Sequence, residues 1–556
     1  MALNSLNIAS SLLRSSQLQI ELTGRNLEGV DLPGYSRQRA VVSNVGPAIS
    51  TFQQHHDGLG VQVEGFERVR DGLLDTAYRL HHRNAEASRS LDPLTSRLES
   101  IFNNSEGLSS QAQDVRAALL EVATHPDDIA LRSDLLSKLD GFTRTFQDTS
   151  NSLDQLGDEA RARVGDLTDR ANQILVELQG INKQLPPLDG SAGKNVLLDR
   201  RDVLLDELSG LVNVQVRESH GGATSVYLDG KQLLYGVQLD QLQWDATNGL
   251  RTQTGQSLSP RGGSLAANLN FAQTELAGFR TALDASANSF KDQLNSVHQL
   301  GYGLDGVAGR DLLQGSGAGD LRLALTDPRA IAGALARVEG TSGVGNASFT
   351  AGDSLVNQAA NLNTPATASG TIEINGIAVS WDDSQSTDQI LSNLSAAGVK
   401  ARFDSPSGRV VLERDPSMAG PPGITVNDLG GNLSQVLGLT GAVSAPAVPG
   451  DGRMLRQMAS KLDSAAFGSG GDRTFQESID DLATSAGAAR SREMVMAQRN
   501  TLLETDADER RQQISGVNSD EELLNLQRYQ QSFAAAARVA TVADEIMSTL
   551  ISMGAR

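Results

Sequence analysis

The chain has 556 residues, no cysteine and a formal net charge of −20. That length suits several domains, and the acidic balance speaks against a phosphate-neutralising nucleic-acid binder and against an anionic membrane surface as partner. Without cysteine there are no disulfides, thiolate metal sites or cysteine nucleophiles.

Apolar residues make up 39% but aromatics only 4%. Rings fill large compact cores, so this composition suits long helices packed side by side in an elongated molecule. Met1 to Ile20 alternates apolar and polar residues at helical spacing, without a basic segment leading into a continuous apolar stretch. No cleavable signal peptide of the usual kind is expected, and no stretch approaches the ~20 apolar residues of a membrane span. Leu6, Ala9, Leu13, Ser16, Ile20, Thr23 and Leu27 recur by three and four, a heptad seam that ends near Gly29. Pro33-Gly34-Tyr35 then predicts a turn.

Further along, Leu131, Leu135, Leu139, Phe142 and Phe146 predict one helix. The stripe from Leu153 through Val164, Ile174 and Leu178 to Leu185 predicts a second, closed by Pro186-Pro187. Val212 to Leu269 breaks the helical period, with Asp229-Gly230 as a hairpin signal. Ser286 to Leu300 reads as helix again. Thr341 to Val448 is rich in Gly, Ser, Pro and Asn, and Thr371–Ile374, Asn375-Gly376 and Ile377–Val379 predict two strands across a tight turn. A helix at Thr387–Ala397 and strands at Arg409–Glu413 and Ile424–Val426 complete an α/β insertion. Phe475, Ile479, Leu482, Ala486 and Ala489 open another helix. The last seam is Leu526, Tyr529, Phe533, Ala536, Ala540, Ala543, Met547 and Leu550, capped by Asn518 or Ser519, with Asp520, Glu521 and Glu522 in the first turn. Interior stripes of this kind are ordinary bundle core.

The predicted fold is multidomain and mainly α: a long helical-bundle rod with paired terminal coiled-coil helices and β-rich (α/β) inserted domains. Residues 1–35 with 515–556 form the terminal assembly domain. Residues 36–310 with 450–514 form the rod, including the β-rich segment at 212–269, and 311–449 form the variable insertion.

Ordering the last thirty or so residues costs on the order of 1–2 kcal/mol each, and isolated helices are marginal in water. Each large seam side chain returns roughly 1.5–3 kcal/mol, but only when something covers it. The ends are therefore expected to be poorly ordered in the monomer and to fold on assembly. The alternative is a simple hairpin of the two helices within one chain.

Chemistry is poorly represented. Gly301-Tyr302-Gly303-Leu304-Asp305-Gly306 fits GxGxxG, but a dinucleotide loop must run from a strand into a helix, and here a helix precedes it. His55-His56 and His81-His82 make poor chelating pairs, since adjacent helical positions diverge; the histidines read as surface or helix polar positions. No catalytic residue, metal or cofactor is expected.

The segment Asn26-Leu27-Glu28-Gly29-Val30-Asp31-Leu32-Pro33-Gly34-Tyr35-Ser36-Arg37-Gln38 resembles the signature of flagellar rod, hook and hook-associated proteins. Its Pro33-to-Gln38 form is similar to the FlgK type. Ile514 to Glu522, Asn525 to Gln530 and Ala535 to Val539 match that type more specifically, and Gly107–Ser110, Asp199-Arg200-Arg201-Asp202 and Gly262–Leu265 agree. Thr371 to Leu439 is similar to a small hook IN-like motif inserted in several flagellar proteins, with Ile374-Asn375-Gly376 and Leu437-Gly438-Leu439 at its ends. Glu28, Gly29, Asp31 and Leu32 depart from the usual turn.

The resemblance implies a structural junction protein between hook and filament, not an enzyme. It implies an extracellular tubular homo-oligomer in the flagellum, secreted through the type III apparatus without cleavage. Its partners would be other copies of itself, hook protein, a second junction protein (FlgL type) and a cytoplasmic export chaperone (FlgN type), with neither nucleic acid nor membrane. The implied assembly seams are Leu6, Leu13, Ile20 and Leu27 with Leu526 to Leu550, and the turn motif is Asn26, Pro33, Gly34, Tyr35 and Arg37. Leu526, Tyr529 and Phe533 are the chaperone-contact candidates. Competing readings are a flagellin or hook-type filament subunit and, from another class, an enzyme carried in the insertion.

Overall fold

A computed structural model of the chain describes residues 2–44, 60–103, 107–185, 192–218, 222–416, 420–446, 450–468 and 471–554. His55-His56 and Pro186-Pro187 lie outside the described residues.

Helices dominate. In chain order they are α1 (Ala2–Glu28), α2 (Gly72–Phe102), α3 (Leu108–Thr124), α4 (Ile129–Gln184), α5 (Ala192–Leu211), α6 (Gly263–Asn270) and α7 (Leu276–His298). Then come α8 (Thr387–Asn393), α9 (Leu433–Val436), α10 (Arg453–Leu462), α11 (Phe475–Ser515) and α12 (Ser519–Gly554). The two stripes expected around residues 131–146 and 153–185 belong to the single 56-residue helix α4. No proline or turn chemistry separates them, so the helical period runs through. A π-helical turn at Phe271–Glu275 joins α6 to α7.

Strands are short and antiparallel. β1 (Gln38–Asn44) pairs with β2 (Val61–Arg68). A meander of β3 (Val214–Glu218), β4 (Thr224–Leu228), β5 (Lys231–Tyr235) and β6 (Gln238–Leu239) is followed by the hairpin of β7 (Leu242–Asp245) and β8 (Gly249–Thr252). β9 (Leu313–Gln314) pairs with β10 (Arg322–Leu323). In the insertion, β11 (Ala336–Glu339), β12 (Ser369–Ile374), β13 (Ile377–Asp382), β14 (Val399–Asp404), β15 (Arg409–Arg414), β16 (Val426–Gly430) and β17 (Ala445–Pro446) form two sheets, ordered β14-β15-β11-β17 and β13-β12-β16. Both expected hairpin turns have the positive φ pairs that two-residue turns need: Asp229 (51°) with Gly230 (74°), and Asn375 (54°) with Gly376 (81°).

The strand expected at Ile424–Val426 starts two residues late, at Val426. Ile424 is buried instead, and Thr425 closes a loop by exchanging bonds with Asn375.

The described chain divides into two compact units. One comprises 1–96, 157–275 and 489–556; the other comprises 97–156 and 276–488. The first has its main core where Val164, Ile174 and Leu178 of α4 meet Leu204 and Leu208 of α5 and the inward residues Val226, Leu228 and Leu234 of the meander.

In the second unit, the scarce rings are concentrated. Phe142, Phe146, Phe290, Phe467 and Phe475 form one cluster with neighbouring centroids 4.8 to 5.9 Å apart. A separate core fills the insertion, built on Ile372, Ile374, Trp381, Ile390, Val410, Leu412 and Leu437.

Candidate functional site: the joined chain ends

α1 and α12 pair along their lengths within one chain, the hairpin alternative. Their join is polar. Asn26, one turn from the end of α1, is 2% exposed. Its Oδ1 accepts the Tyr35 hydroxyl at 2.9 Å and the Gln38 N–H at 3.1 Å. Its Nδ2 donates to the Gln38 carbonyl at 3.0 Å and to Glu522 Oε2 at 3.1 Å. Both donors and both lone pairs are thereby used, which is what a buried amide requires.

Glu522, in the first turn of α12, is equally buried. Its other oxygen, Oε1, takes Arg37 Nε at 2.8 Å, while Arg37 also reaches Glu521 at 3.0 Å. The Arg37 N–H bonds the Ser515 carbonyl at the end of α11. Asn518 caps α12, its Oδ1 accepting the N–H groups of Asp520 and Glu521. One turn motif is thus fastened to three helices.

Glycine shapes the turn itself. Gly34 has φ +81°, and a Cβ there would sit 2.1 Å from Val203 Cγ2 of α5. The Tyr35 ring lies so close over Gly29 that a Cβ would meet it at 2.6 Å. The departure from the usual residue at position 29 therefore has a structural role: it admits that ring. Burial, with Asp199 and Glu522 nearby, pushes the Tyr35 hydroxyl up to about 12.

Below the turn is a buried ionic hub on α5. Asp199, Asp202 and Asp206 lie on one face by their spacing. Ser36 donates to Asp199 at 2.8 Å, and Arg68 bridges Asp199 at 2.9 Å and Asp202 at 2.7 Å. Arg70 and Arg201 also hold Asp202, while Arg79 and Arg511 hold Asp206. Burial raises Asp199, and its bonds from Arg68 and Ser36 do not fully offset this. At Asp202 burial is outweighed by Arg201, Arg68 and Arg70, and its carboxyl sits below the ordinary range. The Arg511 guanidinium lies 3.7 Å over the Tyr78 ring, which ties α11 to α2.

Two family models match the chain. One, "Flagellar hook-associated protein FlgK helical domain", covers residues 95–313; the other, "Flagellar basal body rod FlgEFG protein C-terminal", covers 510–553 and hence α12. Flagellar hook-associated protein 1 of Escherichia coli is 24% identical, with 99% of each chain covered. That of Salmonella typhimurium is 25% identical over the same shares. The chain is similar along its length to the FlgK-type flagellar hook-associated proteins. That of Bacillus subtilis is 28% identical over 40% of this chain and 45% of its own. The solved flagellar hook junction protein FlgK from Burkholderia pseudomallei matches 80% of this chain and 100% of its own, with TM-score 0.56 and 16% identity, a likeness of fold.

In this chain the expected residues fall into three groups. Asn26, Tyr35 and Arg37 meet in the join, with Gly34 packed on Val203, whereas Pro33 is exposed. Along the helix pair, Ala536 and Ala543 are buried, while Leu6, Leu13, Ile20, Leu27, Leu526, Tyr529, Ala540 and Met547 are half-buried. Phe533 is 39% exposed, so the expected seam turns partly outward at that position. The Leu550 side chain lies outside the described residues.

Sequence reasoning missed Arg68, Arg70, Arg79 and Arg511, whose α5 partners are distant in the chain. It also missed a second apolar row on α12. Val539 (50% exposed), Val542 (52%), Ile546 (49%) and Met553 (71%) recur by three, four and seven on the side that α1 leaves open. The histidine reading needs one correction. His298 is 1% exposed and bonded on both ring nitrogens, because α7 ends inside the second unit rather than at its surface. Among the described residues no group of three or more His, Cys, Asp or Glu is placed to hold a metal ion, and no helix is long and apolar enough to cross a membrane.

Proposed function

We propose that this chain is the subunit of a tubular junction between the flagellar hook and the filament, polymerising through its paired terminal helices. The observation that carries the reading is the double-sided α12. One apolar row packs on α1, and the other, through Val539, Val542 and Ile546, is left to solvent in a single chain. An exposed apolar row at heptad spacing is a helix–helix seam awaiting a partner. Neighbouring copies supply an identical row, so the second seam is assigned to self-assembly, with the final ordering of both ends coupled to it.

The join at Asn26, Arg37 and Glu522 fixes how the helix pair leaves the body, and so fixes where each copy presents its second row. The assembly domain is accordingly proposed as residues 1–35 with 515–556, the rod as 36–310 with 450–514, and the insertion as 311–449.

The finer assignments follow the family resemblance. Hook protein is proposed on one side and an FlgL-type protein on the other. Export is proposed through the type III apparatus to an extracellular position, with an FlgN-type chaperone covering Leu526, Tyr529 and Phe533 beforehand. Exposure of Phe533 in the single chain favours that contact. The role is structural rather than enzymatic. A flagellin-like subunit is disfavoured because the family match lies with the FlgK helical domain.

The test is a deletion strain viewed by electron microscopy. Hooks without filaments, and flagellin shed to the medium, are expected; normal filaments on that strain overturn the assignment.

A further inference from the structure

The segment Pro328–Leu335 leads into β11, the first strand of the insertion's two larger sheets; after a single 3-10 turn at Pro328–Ala330 it is irregular, and from Ala330 onward it is buried. Ala330, Ile331, Ala332, Ala334 and Leu335 are each under a tenth exposed. Buried irregular backbone must find partners for its polar groups. Here they come from side chains as well as backbone. Arg132 of α4, itself 1% exposed, donates to the Ile331 carbonyl at 2.7 Å and to that of Pro126 at 2.6 Å. Arg310 donates to the Ala330 carbonyl at 2.9 Å, and Asp451 accepts the Leu335 N–H at 3.0 Å. His298, the last residue of α7, accepts the Ala332 N–H on Nε2 at 3.0 Å.

That last bond fixes a protonation state. An Nε2 that accepts a hydrogen bond carries no proton, so Nδ1 bears it and donates to the Arg310 carbonyl at 2.7 Å.

We infer that His298 is an acid-sensitive latch: its neutral ring pins the buried strap Pro328–Leu335 at the root of the insertion, and protonation of the ring releases the strap. A proton on Nε2 would face the Ala332 N–H, donor against donor. It would also add a charge to a site that already holds the Arg132 guanidinium from α4 and Arg310 from the following loop, with Asp311 as the carboxylate beside the ring. Asp305 is committed to Arg310, and Asp451, across the strap, to Arg453. Burial, aided by Arg310 and Arg132 against the Arg310 carbonyl and Asp311, holds the ring at about 4.

Opening the strap lets the ring return to its ordinary value near 6.5. The opening constant should then rise about tenfold per pH unit between about 6.5 and 4. Asp305 and Asp451 both sit below the ordinary carboxylate range, so they begin to contribute only near and below pH ~4. The upper part of that window belongs to His298.

The test is hydrogen exchange of the full-length chain across pH 4.5 to 6.5, corrected for the intrinsic pH dependence, and read on peptides spanning 328–336. Wild type should lose protection there by about tenfold per unit, while α7 and α4 keep theirs. His298→Gln offers an acceptor that does not titrate, and its protection should be flat. A flat wild-type profile, or an equal slope in the variant, overturns the latch. Should the variant fail to fold, nitrogen NMR of the wild-type ring decides. An Nδ1–H tautomer titrating near 4 supports the latch; an Nε2–H tautomer or a titration above 6 rejects it.

Discussion

Asn26 and Glu522 stand 496 positions apart in the chain and share a 3.1 Å hydrogen bond, both with side chains withdrawn from water. That bond converts two separate amphipathic ends into one directed element. Most of the deeply buried positions of the helix pair are small residues, Ala9, Ser16, Thr23, Ala536 and Ala543, with Leu22 the buried large apolar one. Direction comes from the polar join, where hydrogen bonds demand specific angles.

Removing the Glu522 carboxylate should therefore loosen both ends at once. Glu522→Ala strands Asn26 Nδ2 with one acceptor fewer and leaves Arg37 only the exposed Glu521. Breaking a buried charged contact costs about 3–5 kcal/mol, discounted here to about 2–3 because Arg37 is partly exposed. Thermal unfolding and exchange at Asn26 and Gln38 should both report the change, and Glu521→Ala should change neither by more than about 0.5 kcal/mol.

A second expectation concerns Gly34. Alanine there must adopt φ +81° and place its Cβ against Val203. The backbone term alone is about 1 kcal/mol, and the overlap adds to it. Gly34→Ala should destabilise by about 2–4 kcal/mol. Pairing it with Val203→Ala should recover the steric part but not the backbone part, a coupling that a double-mutant cycle on chemical denaturation will measure.

Much of the architecture was legible because it is written in local period. The α12 seam, the Asn518 cap and the two hairpin turns at Asp229-Gly230 and Asn375-Gly376 rest on residues a few positions apart. What was hidden depends on distant partners. Glu522 reads as a carboxylate at a helix N-terminus, and only the fold reveals Asn26 and Arg37 around it. His298 reads as a polar helix end, and only the strap residue Ala332, 34 positions later, explains its burial. The row Val539, Val542 and Ile546 is visible in the sequence, but which of two rows α1 covers is decided by packing geometry.

The alkaline side offers a further check. Tyr35 and Tyr78 are both pushed up to about 12 by burial, against an ordinary value of 10.0. An acid whose folded value is raised holds its proton better when folded. Its contribution is complete below about pH 10 and is lost as pH climbs from 10 toward 12. Tyrosinate absorbance should show Tyr35 and Tyr78 ionising late, near 12. Tyr35→Phe should remove one of the two, weaken the alkaline loss of stability, and cost about 1 kcal/mol near neutrality through the bond lost to Asn26.

The two rows of α12 should separate folding from assembly. Val539 and Ile546 are half exposed in the single chain, so Val539→Asp with Ile546→Asp removes little buried contact and should leave the monomer's unfolding midpoint nearly unchanged. Ala543 is 4% exposed against α1, and Ala543→Asp buries an unpaired carboxylate and should melt the helix pair. If the outer row is the seam between copies, the double aspartate variant should fold, reach normal levels and yet fail to join hook to filament. The cost of desolvating like charges repeated around a ring of identical seams acts on every contact, whereas a monomer meets none of it. Sedimentation of the purified variant and electron microscopy of the complemented deletion strain read the two halves. A double variant that still supports filaments would remove the outer row from the assembly, and an Ala543→Asp chain with intact end helices would remove the inner one.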